Sequence, residues 1–236
     1  MVALLRSARL TCWTNSWLSG ATSLEEADEA IRGSDAAHHL IGLADEPEPV
    51  PLLLGLGALR RQGTRACTLA LPVPGDPLGL AGPPRFTEAA LEAGEGVVFE
   101  GSRLGLVPHV VGAGVQWRVY DANPAPPIGF ADAATELTRA LHDAIDSFGR
   151  LEIARWRPEI ADALMELRGL RRSSAGGLSP GYEPRAEHLA MRARTCLLIH
   201  ELAAEDDGGA RTSHEAEVRR KALRDLESAA RRGMVA

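Results

Sequence analysis

The sequence predicts an α/β fold: a mixed sheet, parallel in part with antiparallel hairpins at one edge, plus a C-terminal layer or bundle of four helices. Three observations predict it. Apolar β-type runs alternate with short amphipathic segments through the first half of the chain. Between 96 and 121 the runs follow one another across tight glycine turns. Beyond 131 apolar residues recur every three or four positions. The chain of 236 residues is long enough to bury a core.

Residues 9–18 (RLTCWTNSWL), rich in Trp, Thr and Leu, are expected to form the first strand. The helix 23–33 follows, with Ser23 and Glu26 as a capping box and Gly33 as its stop. A strand at 36–43 leads through a polar loop to a helix at 52–63 that starts after Pro51. Gly55 and Gly57 weaken that helix unless a neighbouring chain packs closely on it. Further strands are expected at 65–72 and 96–100, separated by a helix at 87–94 with Thr87 as N-cap. Gly101 and Ser102 suit a two-residue hairpin turn, and Gly112 to Gly114 suits a second turn into 115–121. Residues 122–130 (ANPAPPIGF) form the linker, so the expected parts are 1–121 and 131–236, docked as one compact unit. The four C-terminal helices are expected near 134–151, 157–170, 186–203 and 212–232, the last opened by a Thr212–Glu215 capping box.

Composition narrows the function classes. The net charge of -6 disfavours a general nucleic-acid binder, which needs excess cations to displace counterions. Lys221 is the sole lysine, and a GC-rich genome yields such arginine bias without any phosphate recognition. Cys12, Cys67 and Cys196 are far apart and form no CxxC pair, which fits reduced, inert thiols in a cytoplasmic protein. No stretch approaches membrane-spanning length, and the N-terminal apolar run is too short for a signal h-region.

The segment 71–86 (LPVPGDPLGLAGPPRF) is the most unusual. It joins a strand to a helix, where open α/β sheets bind ligands. It lacks the Walker A and GxGxxG patterns, and its five prolines donate no hydrogen bond. Its longest unbroken run of amides is 78–82. It is a stiff connector, a docking loop or a pocket wall. If it lines a ligand site, the candidate residues are Asp76, Leu78, Gly79, Leu80, Gly82 and Arg85. The first strand would add Trp13, Asn15 and Trp17 from one face. Asp76 in PGDP is a turn-former first and a candidate acid second.

Other motifs are weak. His38 and His39 point to opposite faces of a strand and cannot share a metal. His142-Asp143 resembles the HD pair of metal phosphohydrolases without its companion ligands. His200-Glu201 lacks the second histidine of HExxH, and no GxSxG elbow is present. No metal or cofactor is assigned. Arg155 and Arg157 open the 157–170 helix at the end its dipole does not favour for cations, which suits acidic partners.

LPVPGDPLGLAGPP and RWRPEIADALMELR, in an Ala/Arg-rich background, resemble an uncharacterised actinobacterial protein family with no assigned function. The resemblance runs over most of the chain and implies an actinobacterial, cytoplasmic origin. Two functional readings remain. One is a non-enzymatic interaction or scaffold protein that docks a protein partner or its own copies through the rigid loop and helical faces. The other is a small-molecule-binding protein or enzyme with its site at the strand-loop-helix 66–94.

Overall fold

The computed structural model describes residues 5–44, 46–150, 178–204 and 213–236. Over these the chain forms a six-stranded mixed sheet and seven helices. They are α1 (Arg6–Leu18), α2 (Leu24–Arg32), β1 (His38–Ile41), β2 (Val50–Pro51), α3 (Leu52–Arg61), β3 (Ala66–Ala70), α4 (Pro84–Ala93), β4 (Gly96–Glu100), β5 (Leu104–Val111), β6 (Gly114–Asp121), α5 (Phe130–Arg150), α6 (Pro184–Ala204) and α7 (Ser213–Val235). The C-terminal part is helical, with three described helices. The expected helix at 157–170, with Arg155 and Arg157, and the Thr212 capping position lie outside the described residues.

The chain divides into two compact units. One is Met1–Pro127 with Leu178–Tyr182 and Val235; the other is Ile128–Gly177 with Glu183–Met234 and Ala236. The sheet of the first unit has the order β2-β1-β6-β5-β4-β3. β1 and β6 are parallel, and every other neighbouring pair is antiparallel. Strand alternation separates two apolar faces. Val97, Phe99, Leu106, Val115 and Trp117 pack with Leu10 and Trp17 of α1, Ile31 of α2, and Leu52, Leu56 and Leu59 of α3. Val98 and Val107 face the other way, onto Phe86 and Ala90 of α4. A Cβ on Gly105 would lie 2.5 Å from the Phe86 ring, so this glycine is the seat of that ring. On the first face a Cβ on Gly55 would meet Leu40 at 2.7 Å, which is the close approach its presence in a helix calls for.

The first element departs from expectation. Residues 9–18 lie within helix α1, not a strand. Leu10, Trp13 and Trp17 sit three and four apart and enter one core, while Ser7, Thr11 and Thr14 form a second buried stripe. Those hydroxyls interrupt the apolar signal, and Trp and Thr carry strand propensity that packing overrides. Two boundaries also shift. α4 starts at Pro84, so Thr87 is inside the helix, and its Oγ1 donates to the Pro83 carbonyl at 3.3 Å. The β4–β5 turn holds three residues, with Arg103 at φ 58. The capping box forms as expected: Glu26 N–H donates to Ser23 Oγ at 3.1 Å, and Ser23 N–H to Glu26 Oε2 at 2.9 Å.

In the second unit, Ala133, Leu137 and Ala144 of α5 pack with Leu189, Ala193 and Cys196 of α6 and Leu226, Ala229 and Ala230 of α7. Alanine contacts bring the helices close: a Cβ on Gly233 would stand 3.2 Å from that of Ala193. No described helix is long and apolar enough to cross a membrane.

Candidate functional site

The sheet positions a groove at one end. There the parallel strands β1 and β6 both finish, at Ile41 and Asp121, and the antiparallel β5 begins at Leu104. Helix α3 ends there from one face of the sheet, and α4 begins there from the other. Crevices beyond the carboxyl ends of parallel strands are where open α/β sheets bind ligands. The groove has a volume of about 690 Å³. Leu43, Leu104 and Val119 give it an apolar lining, and Tyr120 adds a ring. Gln62 comes from the end of α3, Arg85 from the first turn of α4 and Asp121 from the end of β6. Gly42, Ala44, Pro83 and Pro84 complete the wall. The α4 amides add little here, because Phe86 and Thr87 N–H both turn back to the Pro83 carbonyl. The positive group of the groove is the Arg85 side chain.

The 71–86 loop runs back over the sheet. Ala70 of β3 pairs with Gly96, where α4 has already ended, whereas Pro84 adjoins Tyr120 and Asp121 at the opposite end. The loop is held by its own backbone. Val73 and Asp76 exchange both hydrogen bonds, at 3.0 and 2.9 Å, across a Pro74-Gly75 turn. Asp76 is therefore a turn residue, and it does not line the groove. Leu78 is buried, and its carbonyl accepts Leu71 N–H at 3.1 Å. Gly79 has φ 83, and a Cβ there would lie 2.7 Å from the Leu69 carbonyl oxygen. Leu80 packs beside Phe86, and its N–H donates to the Pro77 carbonyl. The Gly82 carbonyl accepts Asn123 N–H at 2.9 Å, and the Gly82–Pro83 peptide is cis.

Trp13, Asn15 and Trp17 are elsewhere. The two rings enter the core between α1 and the sheet, and the Arg60 guanidinium lies 5.0 Å above Trp17. Asn15 closes the sheet edge. Its Nδ2 donates to the Cys67 carbonyl and its Oδ1 accepts Cys67 N–H, both at 2.8 Å. One side-chain amide thus acts as the missing neighbour of edge strand β3. The segment Leu178–Tyr182 seals the same region: Ser179 Oγ donates to the Cys12 carbonyl at 2.8 Å, Ser16 Oγ donates to the Pro180 carbonyl, and Tyr182 meets Asn15. Burial pushes the Cys12 thiol up to about 11 and that of Cys67 well above its ordinary value, so both are protonated and poor nucleophiles at neutral pH. Of the nine residues singled out in the sequence, the structure brings Arg85 to the groove. Gln62, Tyr120 and Asp121 carry no motif, and only strand pairing reveals that they meet.

A polar chain runs from the surface into the core. Arg6 binds both Asp35 oxygens, at 3.0 and 2.9 Å, and Arg9 lies 3.3 Å away. Asp35 Oδ2 is 3.0 Å from His38 Nε2, and Trp117 Nε1–H donates to His38 Nδ1 at 3.2 Å. An indole only donates, so Nδ1 is an acceptor and Nε2 carries the proton. The hydrogen bond from Arg6, and then that from His38, hold Asp35 at about 2. Burial lowers the His38 value despite Asp35, so the ring stays neutral and this contact is no ion pair. Both values fall below those of the unfolded chain. Stability from His38 is full above about 6.5 and erodes as pH falls, because the unfolded ring takes a proton that the folded one refuses. Asp35 adds a second loss between 3.8 and 2. Buried Glu95, which accepts Ser7 N–H at 2.8 Å, is raised and has the opposite slope above 4.5. His38 is expected to lower the melting temperature between about pH 7.5 and 5.5, a loss read as the difference between the parent and His38→Gln. Nitrogen-detected NMR should show the Nε2–H tautomer; a charged ring at pH 7 would contradict this geometry.

Among the described residues no three or more His, Cys, Asp and Glu stand together as a metal site. His142 and Asp143 are exposed on α5, and His200 Nδ1 lies 3.2 Å from the Leu223 carbonyl oxygen.

No solved structure matches the chain. It is 26% identical over 198 residues to "Uncharacterized protein MAV321" of Mycobacterium avium, covering 66% of this chain and 65% of that one. It is 27% identical over 187 residues to "Uncharacterized protein Rv1486c" of Mycobacterium tuberculosis, covering 61% and 64%. The chain therefore spans about two thirds of the length of the relatives it matches. The Rv1486c-like N-terminal domain matches residues 7–135 and the Rv1486c-like C-terminal domain residues 131–235, so the chain belongs to the Rv1486c-like protein family.

Proposed function

We propose that the α/β unit is a small-molecule-binding module whose ligand occupies the groove beyond β1 and β6. The observation that carries this reading is the groove's position: it opens at the carboxyl ends of the parallel pair, between helices from opposite faces of the sheet. Its volume of about 690 Å³ suits a small organic ligand. An apolar lining with a few convergent polar groups is the usual composition of such a site. Arg85 links it to the ligand site expected from the sequence.

Docking is the second reading. It is favoured by Val110 and Val111, 59% and 53% exposed beside the β5–β6 turn.

Native mass spectrometry of gently purified protein separates the two. The binding module is expected to carry a reproducible small extra mass that Ala44→Trp removes, since Ala44 is exposed and its replacement fills the groove without disturbing the core. A fixed multiple of the chain mass with no small adduct, lost in Val110→Asp, would replace binding with docking.

A further inference from the structure

We infer that the groove selects a zwitterionic small molecule of the amino-acid type, its carboxylate on Arg85, its ammonium on Asp121 and its apolar body along Leu43, Leu104 and Val119. This rests on the groove being a ligand site. Arg85 and Asp121 line one groove from different elements, yet neither forms an ion pair with the other or with any described residue.

Three other arginines of the unit are engaged elsewhere. Arg6 and Arg9 bind Asp35, and Arg60 covers Trp17. The nearest rival is the most informative. Arg103 precedes Leu104, which pairs with Asp121 in the ladder, so Arg103 stands beside the acid in the chain's own geometry. It turns instead to the Asn123 side chain, donating to Oδ1 at 2.6 Å. Asn123 in turn donates to the Ala81 carbonyl at 3.2 Å, which ties that pair to the loop entering α4. The neighbouring cation is thus occupied and Asp121 is left to the groove.

Selectivity follows from the two charges. A simple anion gains Arg85 but faces Asp121, and a simple cation faces the reverse. A molecule bearing both groups on an apolar body satisfies each charge with a charge-assisted hydrogen bond. Gln62 supplies a neutral amide beside them. Arg85 offers a planar fork that a carboxylate fits better than a lysine's point charge would allow.

The test compares matched series in ligand-observed NMR: the standard amino acids, their N-acetyl forms and their amides. At least one apolar amino acid is expected to bind roughly tenfold more tightly than both of its singly charged derivatives. Arg85→Ala should erase its advantage over the amide, and Asp121→Asn its advantage over the N-acetyl form. Both positions are exposed, and unchanged circular-dichroism melts would confirm folding. Equal binding of the three series, or none by any zwitterion, overturns the inference. The groove reading survives that result if an extra native mass is still lost in Ala44→Trp, and falls with it if that variant changes nothing.

Discussion

Trp117→Ala is expected to destabilise the α/β unit by about 3–5 kcal/mol. Trp117 is fully buried in β6, where it pairs across the parallel ladder with Leu40. Truncation leaves a cavity among Leu40, Leu106 and Val115 and their helix partners, which rigid sheet geometry does not let collapse. It also strips His38 Nδ1 of its donor. The His38 and Trp117 rings, 5.9 Å apart at 61°, lose their edge contact as well. A domain stable by about 5–15 kcal/mol loses a large share of its margin. Trp117→Phe separates the contributions: it restores most of the volume and none of the hydrogen bond, so it should recover all but about 1–3 kcal/mol. Urea unfolding followed by circular dichroism gives both numbers. Equal stability of Trp117→Ala and the parent would refute the packing described for β6.

The second large effect is expected at Asn15. Asn15→Ala should cost about 2–4 kcal/mol, because it strands both the N–H and the C=O of Cys67 beneath α1. Asn15→Asp is the sharper probe. A carboxylate still accepts from the Cys67 amide but cannot donate to its carbonyl, so half of the cap survives. β3 is one of the two outer strands of the sheet, and an uncovered edge is a template for another chain. Faster deuterium exchange of the Cys67 amide, faster alkylation of its thiol and a rise in aggregation should accompany the loss. A change below about 0.5 kcal/mol with unaltered exchange would show that the edge does not depend on Asn15.

How much of this was legible depends on where each signal resides. The capping box of α2 is a local contact between residues three apart, and it forms as read. The strands at 96–121 carry alternation and glycine turns within a short span, so their antiparallel pairing follows from adjacent chain. Gly55 announced a close approach, and Leu40 makes it. α1 misled because its second buried face is built from hydroxyls. Ser7, Thr11 and Thr14 look like a surface or a strand until α1 is seen in the fold. Asn15, expected beside Trp13 and Trp17 in a ligand site, instead binds a backbone 52 residues away.

The candidate site divides in the same way. Amino-acid order alone determined a mixed α/β unit followed by helices, a proline-rich loop without the Walker A or GxGxxG pattern, and Arg85 as a charged residue at the entry of a helix. Periodicity, turn chemistry and proline's missing N–H are all properties of neighbouring residues. Tertiary structure alone decided that β1 lies parallel to β6, and therefore that Leu43, Gln62, Arg85, Leu104 and Asp121 share one groove. It also decided that Asp76 serves a turn at the far end of the loop. Strand pairing between distant segments depends on the burial of both faces of the sheet at once, a global condition that no local pattern records.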